Sequence, residues 1–149
     1  MKRILLIMFL FIRVRTAEAQ IETPVKWSYA AKGTSPTEAV LFLKATIDQG
    51  WHIYSVNQAE GGPIKTSFSF IRDKKFELMG KEREPAPHTS FNKTFKIDVG
   101  YFEKSVIFQQ KITLTGKIAL EVKGSVDYMV CNGHKCLPPE TVDFTTPVR

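Results

Sequence analysis

Apolar and polar residues alternate with a period of two along several short runs of the chain, and Gly, Pro and Asn separate these runs. A period of two places successive side chains on opposite faces of a strand. The two longest runs are residues 37–47 and 118–130. In the second run one face carries the apolar residues Ile118, Leu120, Val122, Val126, Tyr128 and Val130. Short strands with turn signals between them predict an all-β, antiparallel immunoglobulin-like sandwich of about eight strands.

Further strands are predicted from shorter runs at residues 25–32, 51–55, 66–72, 76–79, 105–114 and 141–144. The first of these is expected to be an edge strand. The run 37–47 would also tolerate a helix, but its β-branched and aromatic residues favour a strand. Residues 83–93 are predicted to be irregular, because Pro85 and Pro87 cannot donate hydrogen bonds to a sheet.

The composition is that of an ordinary folded domain. The chain has 149 residues, of which 43% are hydrophobic and 24% are charged. This length is enough for one domain with a sizeable core. The balance of residue types excludes both a disordered chain and an integral membrane protein.

The N-terminal residues have the features of a secretory signal peptide. A basic start is followed by an unbroken apolar run at residues 4–12 and then by an Ala-x-Ala pattern that ends at Ala19. The run is too short for a membrane-spanning helix, which needs about 20 residues. We therefore expect residues 1–19 to be a signal peptide and residues 20–149 to form one exported domain, in a compartment where disulfides persist.

The charge gives little support to nucleic-acid binding. The formal charge of the whole chain is +6, and removal of residues 1–19 lowers it to +3. The remaining basic residues are scattered, without a block of Lys and Arg and without interleaved aromatic residues. Nucleic-acid-binding domains concentrate positive charge on one face, so we expect no nucleic-acid partner.

The chain contains only two cysteines, Cys131 and Cys136, which lie five positions apart. Alternation continued from residues 118–130 puts Cys131 in the polar phase, so we expect its side chain to face solvent. A bridge between the two would close a loop of about six residues and contribute roughly 2 kcal/mol, whereas a bridge between two sheets would contribute about 4 kcal/mol. A small, strained loop is also easier to reduce. The spacing therefore favours redox exchange over structural support.

The residues between the cysteines favour the same interpretation, because His134 and Lys135 lie there and no acidic residue does. Positive neighbours increase the thiolate fraction of a cysteine. Two other interpretations remain open. One is an exported binding module with a structural disulfide. The other is a Cu(I) carrier, with soft ligands from Met129, Cys131, His134 and Cys136, although the cysteine spacing is not that of a zinc site.

The cysteine segment resembles a known family. Val-Asp-Tyr at residues 126–128 is followed by Cys-x-x-x-x-Cys and then by Leu-Pro-Pro-Glu-Thr at residues 137–141. This segment resembles the N-terminal periplasmic domain of the DsbD thiol:disulfide interchange proteins. Gly-Trp-His-Ile-Tyr at residues 50–54 is similar to an aromatic strand of that family, and the resemblance extends over residues 25–144.

The resemblance implies an immunoglobulin-like periplasmic domain that uses its cysteine pair and no further cofactor. Such a domain takes electrons from a membrane-embedded thiol reductant and reduces thioredoxin-like periplasmic proteins. These include disulfide isomerases and a thioredoxin-like protein of cytochrome c maturation. The expected activity is that of a protein-disulfide reductase. We expect the domain to be a monomer.

The resemblance also assigns roles to residues. Cys136 corresponds to the cysteine that forms the mixed disulfide with the partner, and Cys131 corresponds to the one that resolves it. The family covers its disulfide with an aromatic cap, for which Phe95 fits best and Phe91 is the alternative. Tyr54 corresponds to a tyrosine beside the pair.

The chain departs from the family pattern at three places. The loop between the cysteines is one residue shorter, His52 replaces a tyrosine, and Lys93 and Thr94 precede the cap phenylalanine where the family often has acids. Either His52 or His134 could then carry the proton, since imidazole titrates near neutral pH. The alternative for both histidines is an ordinary surface position.

Overall fold

The structure is a computed structural model that describes residues 22–116 and 120–148. Within those ranges it contains no helix, and therefore no helix long and apolar enough to cross a membrane. The predicted signal peptide and Ile118 lie outside the described residues. The described strands are, in chain order, β1 (Val25–Ser35), β2 (Glu38–Ile47), β3 (Trp51–Tyr54), β4 (Ser67–Phe70), β5 (Phe76–Arg83), β6 (His88–Asn92), β7 (Ile97–Glu103), β8 (Ser105–Leu114), β9 (Leu120–Tyr128), β10 (Val130–Asn132) and β11 (Glu140–Val148).

The strands form three antiparallel sheets arranged in two layers. One layer is the sheet β1-β2-β8-β5, and the other contains the sheets β10-β3-β7-β6 and β11-β9-β4. Leu43 and Phe108 of the first layer pack in one buried cluster with Ile53, Phe102 and Val126 of the second. This arrangement confirms the predicted all-β, immunoglobulin-like sandwich, with eleven strands among the described residues where the sequence indicated about eight.

The first layer agrees closely with the sequence pattern. Every second residue of β2 from Ala39 to Ile47 is buried, and Lys44 and Thr46 between them are exposed. β2 pairs with β1 on one side and with β8 on the other, so the helical alternative for this segment is excluded. β1 lies at the edge of its sheet, as predicted.

The prediction of an irregular segment over residues 83–93 is wrong for its second half. Residues 88–92 form β6, which pairs with β7, a strand absent from the sequence prediction. Pro85 and Pro87 lie between β5 and β6, where no ladder requires the N–H groups that proline lacks. The prolines therefore end one strand without preventing the next.

The predicted strand over residues 118–130 is in fact divided between two sheets. β9 pairs with β11 and β4, whereas β10 pairs with β3. The chain changes sheet at Met129, which lies between the two strands. The alternation continues across this change, because Val130 belongs to the main core and Cys131 belongs to a separate cluster on the opposite side of its sheet.

The expectation that Cys131 faces solvent is wrong, because only 2% of its surface is exposed. We call the side of the β10-β3-β7-β6 sheet that carries Cys131 and Tyr54 the outer face. This face has its own buried cluster of Tyr54, Val99 and Cys131, and Tyr101 and Met129 pack against it. Alternation predicts which face of a strand a residue occupies, but other strands decide whether that face is covered.

Candidate functional site

A backbone hairpin holds the two cysteines opposite each other. Two N–H to carbonyl hydrogen bonds close it, Leu137 to Val130 at 2.9 Å and Asn132 to Lys135 at 2.8 Å. Cys131 and Cys136 lie between these bonds, with their Cα atoms 4.0 Å apart and their sulfur atoms joined in a disulfide. Positions of this type bring opposite side chains closest together. The backbone therefore keeps the two sulfur atoms adjacent even without the covalent bond.

The turn of this hairpin is organised by the side chain of Asn132. Its Oδ1 accepts hydrogen bonds from the backbone N–H groups of His134 at 2.9 Å and Lys135 at 2.8 Å. Asn at the start of a turn often binds the backbone two or three residues later. This general preference of Asn for turns is the one feature of the sequence that could have indicated the role of Asn132, which was not among the predicted site residues.

The two cysteines differ strongly in accessibility. Cys131 is buried, whereas Cys136 is exposed. Thiol–disulfide exchange requires an incoming sulfur to reach one sulfur of the bond from outside. Among the described residues, the Cys136 side of this disulfide is the one open to such an approach.

His52 lies directly across from Cys131 on the neighbouring strand β3, and Glu103 lies across from His52 on β7. Directly paired residues point to the same side of a sheet, so all three belong to the outer face. The His52 ring packs against two tyrosine rings, with its centroid 5.3 Å from those of Tyr54 and Tyr101. Its Nε2 lies 3.3 Å from the Tyr54 hydroxyl oxygen.

Burial controls the protonation of these neighbours. It lowers the pKa of His52, and the nearby Glu103 carboxylate opposes this effect only in part. Burial raises the pKa of Tyr54 above its ordinary value. At neutral pH the imidazole of His52 is therefore uncharged and able to accept a proton, while the Tyr54 phenol keeps its own.

The basic residues of the cysteine loop are on the solvent side. His134 and Lys135 are exposed. The Lys135 Nζ lies 2.5 Å from a Glu22 carboxylate oxygen and 5.8 Å from the centre of the Trp51 ring. The positive charge of Lys135, which was expected to act on the cysteines, is thus paired with the carboxylate of Glu22, a residue far away in sequence.

The two candidate cap residues are at the tip of the β6–β7 hairpin. Phe95 lies in the turn, with 39% of its surface exposed, and its N–H donates to Asn92 Oδ1 at 3.2 Å. Ile97, which follows the turn, packs against the cluster that contains Cys131. Phe91 pairs with Asp98, and this register points its side chain away from the outer face.

The possible ligands of the copper interpretation are in different environments. Met129 packs against the buried cluster of the outer face, whereas His134 is exposed on the loop. Within residues 22–116 and 120–148, no group of three or more His, Cys, Asp or Glu side chains is arranged to hold a metal ion.

The fold and the site define an immunoglobulin-like domain with a disulfide whose two cysteines differ in exposure. The family model described as the N-terminal part of the thiol:disulfide interchange protein DsbD matches residues 18–147. The chain belongs to this family of thiol:disulfide interchange domains. A comparison with curated protein sequences gives no match.

Solved structures of related domains share the fold at low sequence identity. The reduced N-terminal domain of DsbD from Neisseria meningitidis is 12% identical, with a TM-score of 0.50 over 77% of this chain and 80% of that one. The structure of the complex between the DsbD and PilB N-terminal domains from the same organism is 11% identical in sequence, with a TM-score of 0.55 over 85% of this chain and 87% of that one. The N-terminal periplasmic domain of ScsB from Proteus mirabilis is 15% identical, with a TM-score of 0.53 over 83% of this chain but 44% of that one.

Proposed function

We propose that this chain is a periplasmic thiol:disulfide interchange domain that accepts electrons from a membrane-embedded thiol reductant. It passes them to thioredoxin-like proteins, such as those of disulfide isomerisation and cytochrome c maturation. The Cys131–Cys136 pair is the carrier, and no other cofactor takes part. The single observation that carries the proposal is the disulfide on a backbone hairpin with one exposed and one buried cysteine.

The difference in exposure supports one order for the two steps. The Cys136 thiolate attacks the partner's disulfide, which forms a bond between Cys136 and one partner sulfur and releases the other as a thiolate. Cys131 then attacks the Cys136 sulfur, and the partner leaves with both of its cysteines reduced. This is the order that the resemblance implies. A transient contact suits a monomeric carrier that must release its partner.

A trapping experiment tests this order. The reduced Cys131→Ser variant, mixed with an oxidised thioredoxin-like protein, should accumulate a stable mixed disulfide through Cys136, because the resolving thiol is missing. The matched Cys136→Ser variant should trap far less, since its remaining cysteine is buried. Mass spectrometry under non-reducing conditions measures both. If neither variant traps the protein, the proposed exchange reaction is excluded, and if Cys136→Ser traps more of it, the proposed order of the two cysteines is wrong.

The reduction potential separates exchange from the alternative of a binding module with a structural disulfide. Exchange proteins have potentials between about −300 and −120 mV, and structural disulfides lie below about −300 mV. Equilibration of the purified domain with glutathione buffers and with a reduced thioredoxin-like protein gives the value. A potential within the exchange range is the expected result, and a lower one would favour the structural role.

Phe95 is the proposed cap of the disulfide. It lies in the turn that leads into the outer face, and its partial exposure leaves it free to move when a partner approaches. Phe91 is not favoured, because its register with Asp98 directs it to the other side of the sheet.

Substitution of Phe95 by Ala should speed the alkylation of Cys136 by iodoacetamide several-fold in the Cys131→Ser background, because the proposed cap restricts the approach of a reagent to the otherwise exposed thiol. The free energy of unfolding in urea should change little, since the side chain is partly exposed. Phe91→Ala is the matched control and should leave the alkylation rate unchanged. Equal rates in both variants, or unfolding of Phe95→Ala, would contradict the capping role.

A further inference from the structure

The burial of Cys131 creates a requirement that the exposed Cys136 does not have. Only a thiolate attacks a disulfide, and a thiol in apolar surroundings holds its proton more tightly because burial penalises the charged form. Cys131 is 2% exposed among Tyr54, Val99 and Met129. Its proton therefore needs an acceptor on the outer face before Cys131 can attack Cys136.

We propose that His52 accepts the proton of the Cys131 thiol in the step that releases the partner. This inference rests on the proposed function and adds the group that drives its second half. His52 is the residue paired with Cys131 across the β3–β10 ladder, and Cβ atoms of directly paired residues lie about 4.5–5.5 Å apart. From a Cβ at that spacing, rotation of the His52 side chain is enough to bring the imidazole to the thiol without a change in the backbone.

The other ionisable groups around this position are less suited to the role. Tyr54 of β3 presents a phenol whose pKa is raised by burial, so it keeps its proton at neutral pH, and Tyr101 of β7 packs its ring against His52. Glu103 of β7 is exposed and is separated from Cys131 by the strand that carries His52. His88 of β6 packs against Tyr101, with ring centroids 5.6 Å apart, and lies a further strand away.

On the cysteine hairpin itself, the turn presents two candidates. His134 is exposed on the loop, and Lys135 carries a positive charge that is paired with Glu22. The sequence left His52 and His134 as equal candidates for the proton carrier. The pairing across the ladder favours His52.

The surroundings of His52 suit a group that accepts and then releases a proton. Burial lowers the pKa of His52 and so favours the uncharged imidazole, in which one ring nitrogen has a lone pair that can accept a proton. The Tyr54 hydroxyl, 3.3 Å from Nε2, and the adjacent Tyr101 ring hold the imidazole in place. Glu103 lies across from His52 on its other side, and its carboxylate stabilises the imidazolium once it forms.

The step balances in atoms and electrons. The Cys131 sulfur gives its proton to His52 and its electron pair to a new bond with the Cys136 sulfur. The bond between Cys136 and the partner sulfur breaks, and the partner sulfur leaves as a thiolate with that electron pair. His52 then returns its proton to solvent.

A reaction with the small disulfide 5,5′-dithiobis(2-nitrobenzoate) isolates this step. The reduced protein releases one coloured thiolate when Cys136 attacks the reagent and a second when Cys131 closes the disulfide. The second release is intramolecular, so its rate does not depend on reagent concentration. The Cys131→Ser variant should show the first release alone, which identifies the two phases.

The second phase should respond to His52 and the first should not. In the parent protein the rate of the second phase should be nearly constant through neutral pH. It should decrease at pH values below the usual pKa range of histidine, because His52 is then protonated and cannot accept the proton. In His52→Phe the rate should rise in proportion to hydroxide concentration. At pH 7 this rate should be at least about 30-fold lower than in the parent protein, because only about one in 30 unassisted thiols with a pKa of about 8.5 is ionised at that pH.

Two matched variants distinguish proton transfer from packing. His52→Tyr keeps a large polar aromatic ring beside Tyr54 and should show the same pH profile as His52→Phe. His88→Phe makes the same substitution on the same face against the Tyr101 ring, and it should behave as the parent protein does. The rate of the first phase reports whether each variant is folded around Cys136.

A parent-like pH profile of the second phase in both His52 variants would overturn the inference, and so would an equal effect of His88→Phe. Either result would leave the exchange function standing. If the Cys131→Ser trapping experiment fails while this chemistry proceeds, the exchange function is excluded and the role of His52 in closing the disulfide remains. The two proposals therefore fail separately.

Discussion

Two core tyrosines show how much a single hydroxyl depends on its surroundings. Tyr128 donates a hydrogen bond to Glu140 at 2.8 Å. Tyr29 stacks on Phe144, with ring centroids 4.7 Å apart, but its buried hydroxyl has no hydrogen-bond partner among the described residues. Burial raises the pKa of both phenols, and that of Tyr29 reaches about 12. A buried hydroxyl without a partner is a cost to the folded state.

Replacement of Tyr29 by Phe should leave the free energy of unfolding at pH 7 unchanged or raise it by up to about 1 kcal/mol, because an unsatisfied group is removed. The raised pKa means that the folded state favours the protonated phenol. The free energy of unfolding is therefore independent of Tyr29 ionisation below pH 10, and it falls as the pH rises from 10 towards about 12, because the unfolded state loses this proton first.

Urea denaturation between neutral and alkaline pH measures both effects, and the alkaline loss should be shallower in Tyr29→Phe. Tyr128→Phe is the control. It should be destabilised by about 1.5–3 kcal/mol at pH 7, since it breaks a hydrogen bond to a charged group. Similar destabilisation of both variants at pH 7 would show that the Tyr29 hydroxyl has a partner.

At the scale of elements, a half-buried carboxylate joins the loop after β3 to the segment after β5. The Glu84 side chain accepts hydrogen bonds from the Ser55 hydroxyl, the Val56 N–H and the Asn57 amide. The same loop reaches β7, where the Gly100 N–H donates to Gln58 at 3.0 Å. The loop that follows Tyr54 is therefore held by these side chains together with one backbone hydrogen bond, from the Ser55 N–H to the Gly100 carbonyl at 3.0 Å.

Loss of this carboxylate in Glu84→Ala should lower the free energy of unfolding by about 2 kcal/mol, because three donors lose a charged acceptor. Hydrogen exchange at the Val56 N–H should accelerate at the same time. Glu82→Ala, two residues earlier on β5, is the matched control and should cost less than about 0.5 kcal/mol. Equal effects of the two variants would show that the contribution of Glu84 is charge alone.

At the scale of the whole molecule, the disulfide contributes little to the fold. It links neighbouring positions of one hairpin whose backbone hydrogen bonds do not depend on it. The two layers are instead joined by the buried cluster around Leu43, Ile53 and Phe108. The main core is therefore separate from the cluster that contains Cys131.

Reduction of the disulfide should lower the free energy of unfolding by only about 2 kcal/mol, the entropic contribution of a closed loop of about six residues. The circular dichroism spectrum should change little. Urea denaturation with and without a phosphine reductant measures the difference. The Cys131→Ser/Cys136→Ser variant is the control and should match the reduced protein. A loss of cooperative unfolding on reduction would instead assign the bond a structural role.

Much of the fold could be predicted, because its strongest signals are local. The alternation of β2 and β9 identified their buried faces, since a strand shows its burial in its own residues. β6 was missed because Phe91 is its one apolar residue and two prolines precede it, and β7 was missed because Gly100 in its interior weakens the strand signal of Ile97, Val99 and Tyr101. The pairing of β10 with β3 was also missed, because nothing within residues 118–130 indicates a change of sheet at Met129.

Some features of the candidate site could likewise be predicted from the sequence, and others could not. The close spacing of Cys131 and Cys136 and the aromatic strand at residues 50–54 were apparent from the chain itself. Tyr101, Glu103 and the pairing of His52 with Cys131 were not, because they arise where β7 and β10 meet β3. Pairing between distant strands depends on the assembled sandwich and leaves no local pattern.

The sequence by itself determined that this protein is a β-sandwich with two closely spaced cysteines on one short loop. Side-chain periodicity and residue spacing are properties of neighbouring residues, so they are present before the chain folds. Only the tertiary structure decided that one cysteine is covered while the other is open, and that a neutral histidine lies beside the covered one. Exposure and proton transfer depend on groups brought together from different strands, and the packing of the two layers specifies those neighbours.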